Sequence, residues 1–193
     1  MTTPVALAQR RRSQTRDEIH RAAVDLVLKR GLAQVTVDEI AEAAGVSPRT
    51  FFNYFPTKRD ALVLELPPLP AEALARFLRG GGRLREELRD LLVAYVERTA
   101  RQRDELRRLY AVVRANPELS PLMQQRFRAF EAQLAEAVAR RLGQASVTFE
   151  ASVIAATAGA LLRTAAWDWR ESADDVSLAD RLADAFAALG RFD

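Results

Sequence analysis

The chain has no cysteine and a single histidine among 193 residues. Without cysteine there is no disulfide framework and no thiolate metal site, which fits a reducing cytoplasm. The lone histidine, His20, lies beside the apolar face of a predicted helix, so it reads as a structural or surface residue. No Ser-His-Asp set, metal-ligand spacing or nucleotide loop accompanies it, and no enzyme, metal or cofactor is expected. Long apolar runs are also missing. No 18-residue stretch is free of charge, and no apolar signal region precedes the basic run Arg10-Arg11-Arg12. The expectation is a soluble cytoplasmic protein with no membrane partner. Convincing strand alternation is absent throughout. Gly80-Gly81-Gly82 reads as a flexible loop, because no strand precedes it and no Gly-Lys-Ser/Thr follows.

What the chain does have is apolar content, 49% of residues, and a basic end. Residues 1–60 hold 10 Lys/Arg against 7 Asp/Glu, whereas residues 61–193 hold 19 of each, so the whole net charge of +3 lies at the N-terminal end. A basic end on a neutral body is the footprint of phosphate binding.

Helix start signals recur along that end. Thr15-x-x-Glu18 predicts a capping box ahead of Ile19, Ala22, Ala23, Leu26 and Val27, and Lys29-Arg30-Gly31 closes that helix. Thr36-x-x-Glu39 opens a second helix, Ser47-Pro48 a third, and Thr57-x-x-Asp60 a fourth. Ala41, Gly45 and Phe51 fall at helix-turn-helix spacing: small where two helices approach, glycine in a left-handed turn, and an apolar plug between the helices. The third helix is too short to stand alone, so Phe51 and Phe55 should anchor it from inside. Ser47, Pro48, Arg49, Thr50, Phe52, Asn53 and Tyr54 then remain for the groove or its edges. Arg49 suits a bidentate pair with guanine, and Thr50 a phosphate or a thymine methyl. Thr36, at a helix N-terminus, suits a phosphate. Phe52 reads as groove-edge or core, with the edge favoured. Arg10, Arg11 and Arg12 read equally as a minor-groove arm or as a basic tail with no specific role.

The run Thr36 to Lys58, with its aromatic tail Phe51-Phe52-Asn53-Tyr54-Phe55-Pro56-Thr57-Lys58, resembles the tetracycline-repressor (TetR) family of bacterial regulators. The resemblance implies that Tyr54 and Lys58 hold phosphates and that the third helix lies in the DNA major groove. It implies an all-α fold: residues 1–60 a three-helix helix-turn-helix DNA-binding domain with a basic N-terminal arm, and residues 61–193 a helical ligand-binding and dimerisation domain.

In the body, Leu66-Pro67-Pro68-Leu69-Pro70 interrupts or ends the fourth helix. Apolar stripes at helical spacing follow from residue 83, with a break near Asp104 left open. Residues 148–170 are apolar on most sides, the pattern of a helix buried nearly all round. By the family resemblance the last two helices pair across a twofold axis, so the partner is a second copy and the operator DNA an inverted repeat. A monomeric helical core is the alternative. The resemblance also implies a small-molecule pocket in the body. The inward-facing candidates are Leu92, Tyr95, Val96, Leu109, Tyr110, Val113, Met123, Phe127, Phe130, Leu161 and Trp167, most of which must be ordinary core. Their character points to an apolar or amphipathic effector. Pro121, the segment 133–143 and the run Ala165-Ala166-Trp167-Asp168-Trp169 loosely resemble a subgroup that responds to acyl-CoA-like ligands. The expected function is a ligand-responsive transcriptional repressor released from its operator. The competing expectation is a DNA-binding regulator without a small-molecule ligand, architectural or controlled by a protein partner.

Overall fold

A computed structural model of the chain describes residues 4–99 and 103–191, with side chains from Arg11 onward. Ten α-helices and no strand occur among the described residues. The first, α1, runs from Pro4 to Arg30 and stops at Gly31. Its start differs from the sequence reading. Thr15 lies inside the helix, and Glu18 accepts a hydrogen bond from Gln14 one turn earlier (3.0 Å) instead of capping. The residues upstream of Thr15 offer no glycine to stop a helix, and Pro4 suits a first helical position. A basic arm at Arg10–Arg12 is therefore replaced by a continuous helix; the Arg10 side chain lies outside the described residues.

The next three helices are short and begin where their caps predict: α2 (Val37–Ala43), α3 (Pro48–Tyr54) and α4 (Lys58–Leu62). Between α2 and α3, Gly45 takes φ 66°. Its N–H bonds Glu42 O at 3.0 Å and the Val46 N–H bonds Ala41 O at 2.9 Å, a Schellman pair that turns the chain sharply into α3. The proline run ends helical structure outright: α4 stops at Leu62, and α5 (Ala71–Arg79) resumes only after Pro70. The open question near Asp104 resolves as two helices, α6 (Leu84–Thr99) and α7 (Arg103–Ala115). Then come α8 (Ser120–Arg141), α9 (Phe149–Glu171) and α10 (Leu178–Leu189).

These helices form two compact units. The first holds the chain through Glu65 and also takes in Arg108–Met123. Its core joins Ile19, Ala23 and Val27 of α1 to Ile40, Phe51, Phe55 and Leu62, with Val112 and Leu119 fully buried among them. The buried Asn116 secures that return: its Oδ1 accepts the Leu32 N–H (3.3 Å) and its Nδ2 donates to Val112 O (2.7 Å). Arg108 pairs with Asp25 of α1.

The second unit holds Leu66–Arg107 and the chain from Gln124 onward. Here α10 packs on α9 and α6, and α5 packs on α6. Leu88, Leu92, Tyr95 and Val96 of α6 meet Phe130, Leu134 and Val138 of α8, Ala155, Ala158 and Leu162 of α9, and Leu182 and Phe186 of α10 in one core. The Gly80–Gly82 loop is tied rather than loose. Gly82 N–H donates to Glu87 (2.8 Å), whose other oxygen meets Arg141 (2.7 Å). The Gly82 N–H, followed by the Arg141 guanidinium, holds the Glu87 carboxyl below its ordinary range. The end of α9 is fastened by two arginines of α7. Arg103 donates to Ser172 O, Asp174 O and Val176 O (3.4, 2.7 and 3.0 Å) and lies over the Trp169 ring. Arg107 donates to Arg170 O and Ser172 O (2.6 and 3.2 Å). Cationic donors at a helix C-terminus satisfy its orphan carbonyls and its negative dipole end.

Within one protomer, α9 is buried on one face only. Ala151, Ala155, Ala158, Gly159, Leu162, Ala165 and Trp169 are buried, but the opposite face is apolar and open. Phe149 is 86% exposed, Val153 47% and Trp167 58%, with the exposed Ala156 and Ala160 between them.

Candidate nucleic-acid interface and body cavity

The seven residues of α3 are too few to persist in isolation, so the protein holds the helix from outside and below. Ser47 caps it, its Oγ accepting the Thr50 N–H at 3.1 Å, with Pro48 at the first helical position. Phe51 is fully buried and Phe55 nearly so, their ring centroids 5.9 Å apart. Phe52 meets the edge of Phe51 in a T-shaped contact at 5.5 Å while remaining 56% exposed. The core reading of Phe52 is thereby set aside, since its ring stands outside the buried cluster. Ser47, Pro48, Arg49, Phe52 and Asn53 are exposed, and Thr50 and Tyr54 are half-buried. Helical geometry thus separates an inward pair from an outward polar and aromatic face.

Three candidates carry second duties. The Thr50 hydroxyl hydrogen-bonds the Ser47 hydroxyl (2.9 Å). Lys58 is half-buried, and its ammonium donates to Leu32 O and Val35 O, each at 2.8 Å. Those two bonds staple the turn before α2 and leave one further N–H of the ammonium. Thr36 makes a full capping box with Glu39. Its Oγ1 accepts the Glu39 N–H (3.3 Å), and its own N–H (2.8 Å) and hydroxyl (2.9 Å) both donate to the Glu39 carboxylate. Arg30 adds an ion pair to Glu39 at 2.7 Å. The Thr36 N–H, the Arg30 guanidinium and the Thr36 hydroxyl together hold the Glu39 carboxyl down at about 2, against an ordinary 4.5. The Thr36 hydroxyl is thus turned towards its own helix.

The sequence reading did not anticipate two contacts from α1. The Arg12 guanidinium lies 5.9 Å from the Tyr54 ring centroid, and that of Arg16 lies 5.5 Å from the Phe55 centroid. Both cations stand beside the end of α3 as part of a helix. The signal available was the i, i+4 spacing of Arg12 and Arg16, legible only if α1 is known to start early. His20 is buried, and its Nδ1 donates to Ala61 O at 2.7 Å, a structural role. No cluster of three or more metal-ligating side chains occurs among the described residues.

The effector candidates do not converge on one place. Leu92, Tyr95, Val96 and Phe130 are buried in the second unit's core, with the Tyr95 and Phe130 rings 4.8 Å apart. Phe127 is half-buried under the Arg163 guanidinium. Val113 and Met123 pack on the core of the first unit, Leu109 and Tyr110 are half-buried on α7, and Trp167 is exposed. Leu161 alone of the eleven lines a cavity of about 340 Å³. Its walls come from Leu84, Arg85 and Leu88 of α6, Val153, Ile154, Thr157, Ala158 and Leu161 of α9, and Phe186 and Leu189 of α10.

Comparisons with known proteins agree with both halves. Residues 19–66 match the family model "Bacterial regulatory proteins, tetR family", and residues 83–192 match the model "MftR C-terminal domain". The Mycobacterium tuberculosis protein named "Putative mycofactocin biosynthesis transcriptional regulator MftR" is 30% identical over 192 residues, spanning 94% of this chain and 92% of its own. Among solved structures, Thermus thermophilus FadR, a TetR-family transcriptional repressor in complex with lauroyl-CoA, is 28% identical. It aligns with a TM-score of 0.52 over 90% of this chain and 92% of its own. A TetR-family transcriptional regulator from Pseudomonas syringae is 26% identical with a TM-score of 0.55, covering 92% and 95% of the two chains.

Proposed function

The chain belongs to the tetR family of bacterial regulatory proteins, with a C-terminal domain of the MftR type, and on that premise we propose a ligand-responsive repressor released from its operator by a small amphipathic effector. The observation that carries the DNA half is the split of α3 into a buried pair, Phe51 and Phe55, and an exposed face holding Arg49, Phe52 and Asn53. In this reading α3 enters the major groove. Arg49 pairs bidentately with guanine, and Phe52 meets a thymine methyl or the groove edge. Ser47 and Thr50 hold phosphates beside the N-terminal turn of α3, Tyr54 does so at its C-terminal end, and Lys58 adds its remaining N–H. Thr36 contributes through the backbone at the start of α2, since its hydroxyl serves Glu39.

The open apolar face of α9 supports a twofold dimer, because a stripe of this kind on a soluble protein calls for a partner. Two copies would set their recognition helices on one side of the duplex, with half-sites of an inverted repeat about one helical turn apart or somewhat more. The effector half is supported by FadR, whose structure contains lauroyl-CoA. An effector acts only through its different affinity for the DNA-competent and DNA-incompetent conformers.

The test is a mobility shift on duplexes selected from a random pool, titrated with lauroyl-CoA. The reading expects a discrete dimer–DNA complex that the ligand dissociates. A complex unaffected by any amphipathic ligand would leave a DNA-binding regulator without a small-molecule effector.

A further inference from the structure

Two cations of α1 stand beside the end of α3 with no acid to match them. The Arg12 guanidinium lies 5.9 Å from the Tyr54 ring centroid, and that of Arg16 lies 5.5 Å from the Phe55 centroid. Arg12 is exposed and Arg16 half-buried. Neither forms an ion pair with a carboxylate among the described residues. An acid three or four residues away on α1 would share their face, but those positions hold Ala8, Gln9, Ser13, Thr15, Ile19 and His20. The acids nearest in sequence point elsewhere on the helix, and Glu18 already accepts from Gln14. Each arginine instead has the other as its i, i+4 neighbour, a pairing of like charges. The face therefore concentrates positive charge and supplies no acceptor of its own.

A contact with an aromatic ring steadies a guanidinium without using its hydrogen bonds, so the N–H donors of its planar fork stay available. That fork matches a phosphate bidentately. The Tyr54 hydroxyl, on the ring beside Arg12, likewise has no hydrogen-bond partner among the described residues. We propose that Arg12 and Arg16 bind the phosphodiester backbone of duplex DNA at the C-terminal end of α3, Arg12 sharing its phosphate with the Tyr54 hydroxyl. Arg12 is then neither a minor-groove arm nor part of a tail; it grips phosphate from the side of a helix. Phosphate contacts carry no base sequence, so this edge adds affinity and fixes register while α3 reads the bases. The proposal rests on the repressor reading for its DNA partner, but not on base recognition by α3.

The experiment is the salt dependence of DNA binding by the full chain, on a duplex selected from a random pool and on one of unrelated sequence. Arg12→Gln and Arg16→Gln should each reduce the slope of log affinity against log salt by about 0.9 per bound protomer. The loss should be equal on both duplexes, with base preferences unchanged. For a dimer, the fall in affinity between about 50 and 200 mM salt then shrinks roughly tenfold. Arg12→Lys keeps the charge and should keep most of the slope. Lys29→Gln removes the same charge from an exposed site about 25 Å away along α1, beyond the reach of screened charges, and should leave the slope unchanged. A wild-type slope in Arg12→Gln would overturn the proposal. So would an equal slope loss in Lys29→Gln, which would trace the effect to net charge. Weaker binding at unchanged slope, with a lowered Tm, would also overturn it and leave the two arginines only to pack α1 against α3. Slope loss in Arg12→Gln with no preferred duplex for the wild type keeps the phosphate edge and removes base reading. A preferred inverted repeat with full slope in both Gln variants keeps base reading and removes the edge.

Discussion

The two units share one way of starting a helix but differ in the length of the helices that follow. In the first, α2, α3 and α4 are seven, seven and five residues long, and each begins with a hydroxyl that accepts an N–H three residues on: Thr36 from Glu39, Ser47 from Thr50, Thr57 from Asp60. In the second, α9 and α10 open on the same device, Thr148 accepting the Ala151 N–H and Ser177 the Asp180 N–H, but α8 and α9 run 22 and 23 residues and bury long apolar faces in a shared core. Local caps fix where a helix starts, so they fix which side chains a short helix shows to a groove. Packing of long helices fixes distances between elements, so what it leaves unfilled becomes a cavity. The short helices of the N-terminal end are thus set largely by short-range rules, and the long helices of the C-terminal body largely by long-range ones.

The strongest way to break this contrast is at Phe51, which is fully buried beneath α3. Phe51→Ala should cost about 3–5 kcal/mol, the usual range for truncating a core aromatic. Urea unfolding should show the loss, with DNA binding abolished.

In the second unit, Arg103→Ala removes three hydrogen bonds to carbonyls after α9 and the cation over Trp169. For a partly exposed group the expected cost is about 2 kcal/mol, within the range for charge-assisted hydrogen bonds. Altered tryptophan emission and a lowered Tm would report it. An unchanged Tm would mean that α9 is positioned without this clamp.

Gly45→Ala isolates conformation from sterics, because nothing lies within 4 Å of the added Cβ while φ remains 66°. The expected cost is about 1–2 kcal/mol, that of a left-handed non-glycine residue. Thermal melts should show it alongside weaker DNA binding.

The smallest effect concerns acid. The folded Glu39 carboxyl titrates at about 2, below its ordinary 4.5. A depressed carboxyl contributes stability above the unfolded value and loses it as pH falls through the folded value. Its contribution should therefore be complete above about pH 4.5 and fade towards pH 2. Glu39→Gln keeps the capping hydrogen bonds but should flatten this part of the stability–pH curve, measured by denaturation at fixed pH values.

Legibility in the sequence follows the same divide. The caps at Thr36, Ser47 and Thr57, the stop at Gly31 and the turn at Gly45 all act within a few residues, and each stands where the sequence puts it. The start of α1 was misplaced by a local signal as well. Thr15-x-x-Glu18 has the form of a capping box, but the helix formers before it continue the helix and Glu18 pairs with Gln14. Long-range features left less trace. Nothing in the periodicity of residues 103–123 says that Val112 and Leu119 belong to the core of the first unit, since an apolar stripe does not name its partner. The effector candidates show the same limit. Inward spacing marked Leu92, Tyr95 and Phe130, which are core, and of the cavity's wall it marked Leu161. Arg85 is exposed and carries no pattern of its own, so only the packing of α6, α9 and α10 singles it out.

The most direct test of the central claim is binding-site selection from random duplexes with wild-type and Arg49→Ala chains side by side. The account predicts an inverted repeat for the wild type. For Arg49→Ala it predicts a loss of about 1–3 kcal/mol confined to one relaxed guanine position in each half-site. A uniform loss at all positions would make Arg49 a phosphate contact, and no consensus from the wild-type chain would contradict sequence reading by α3.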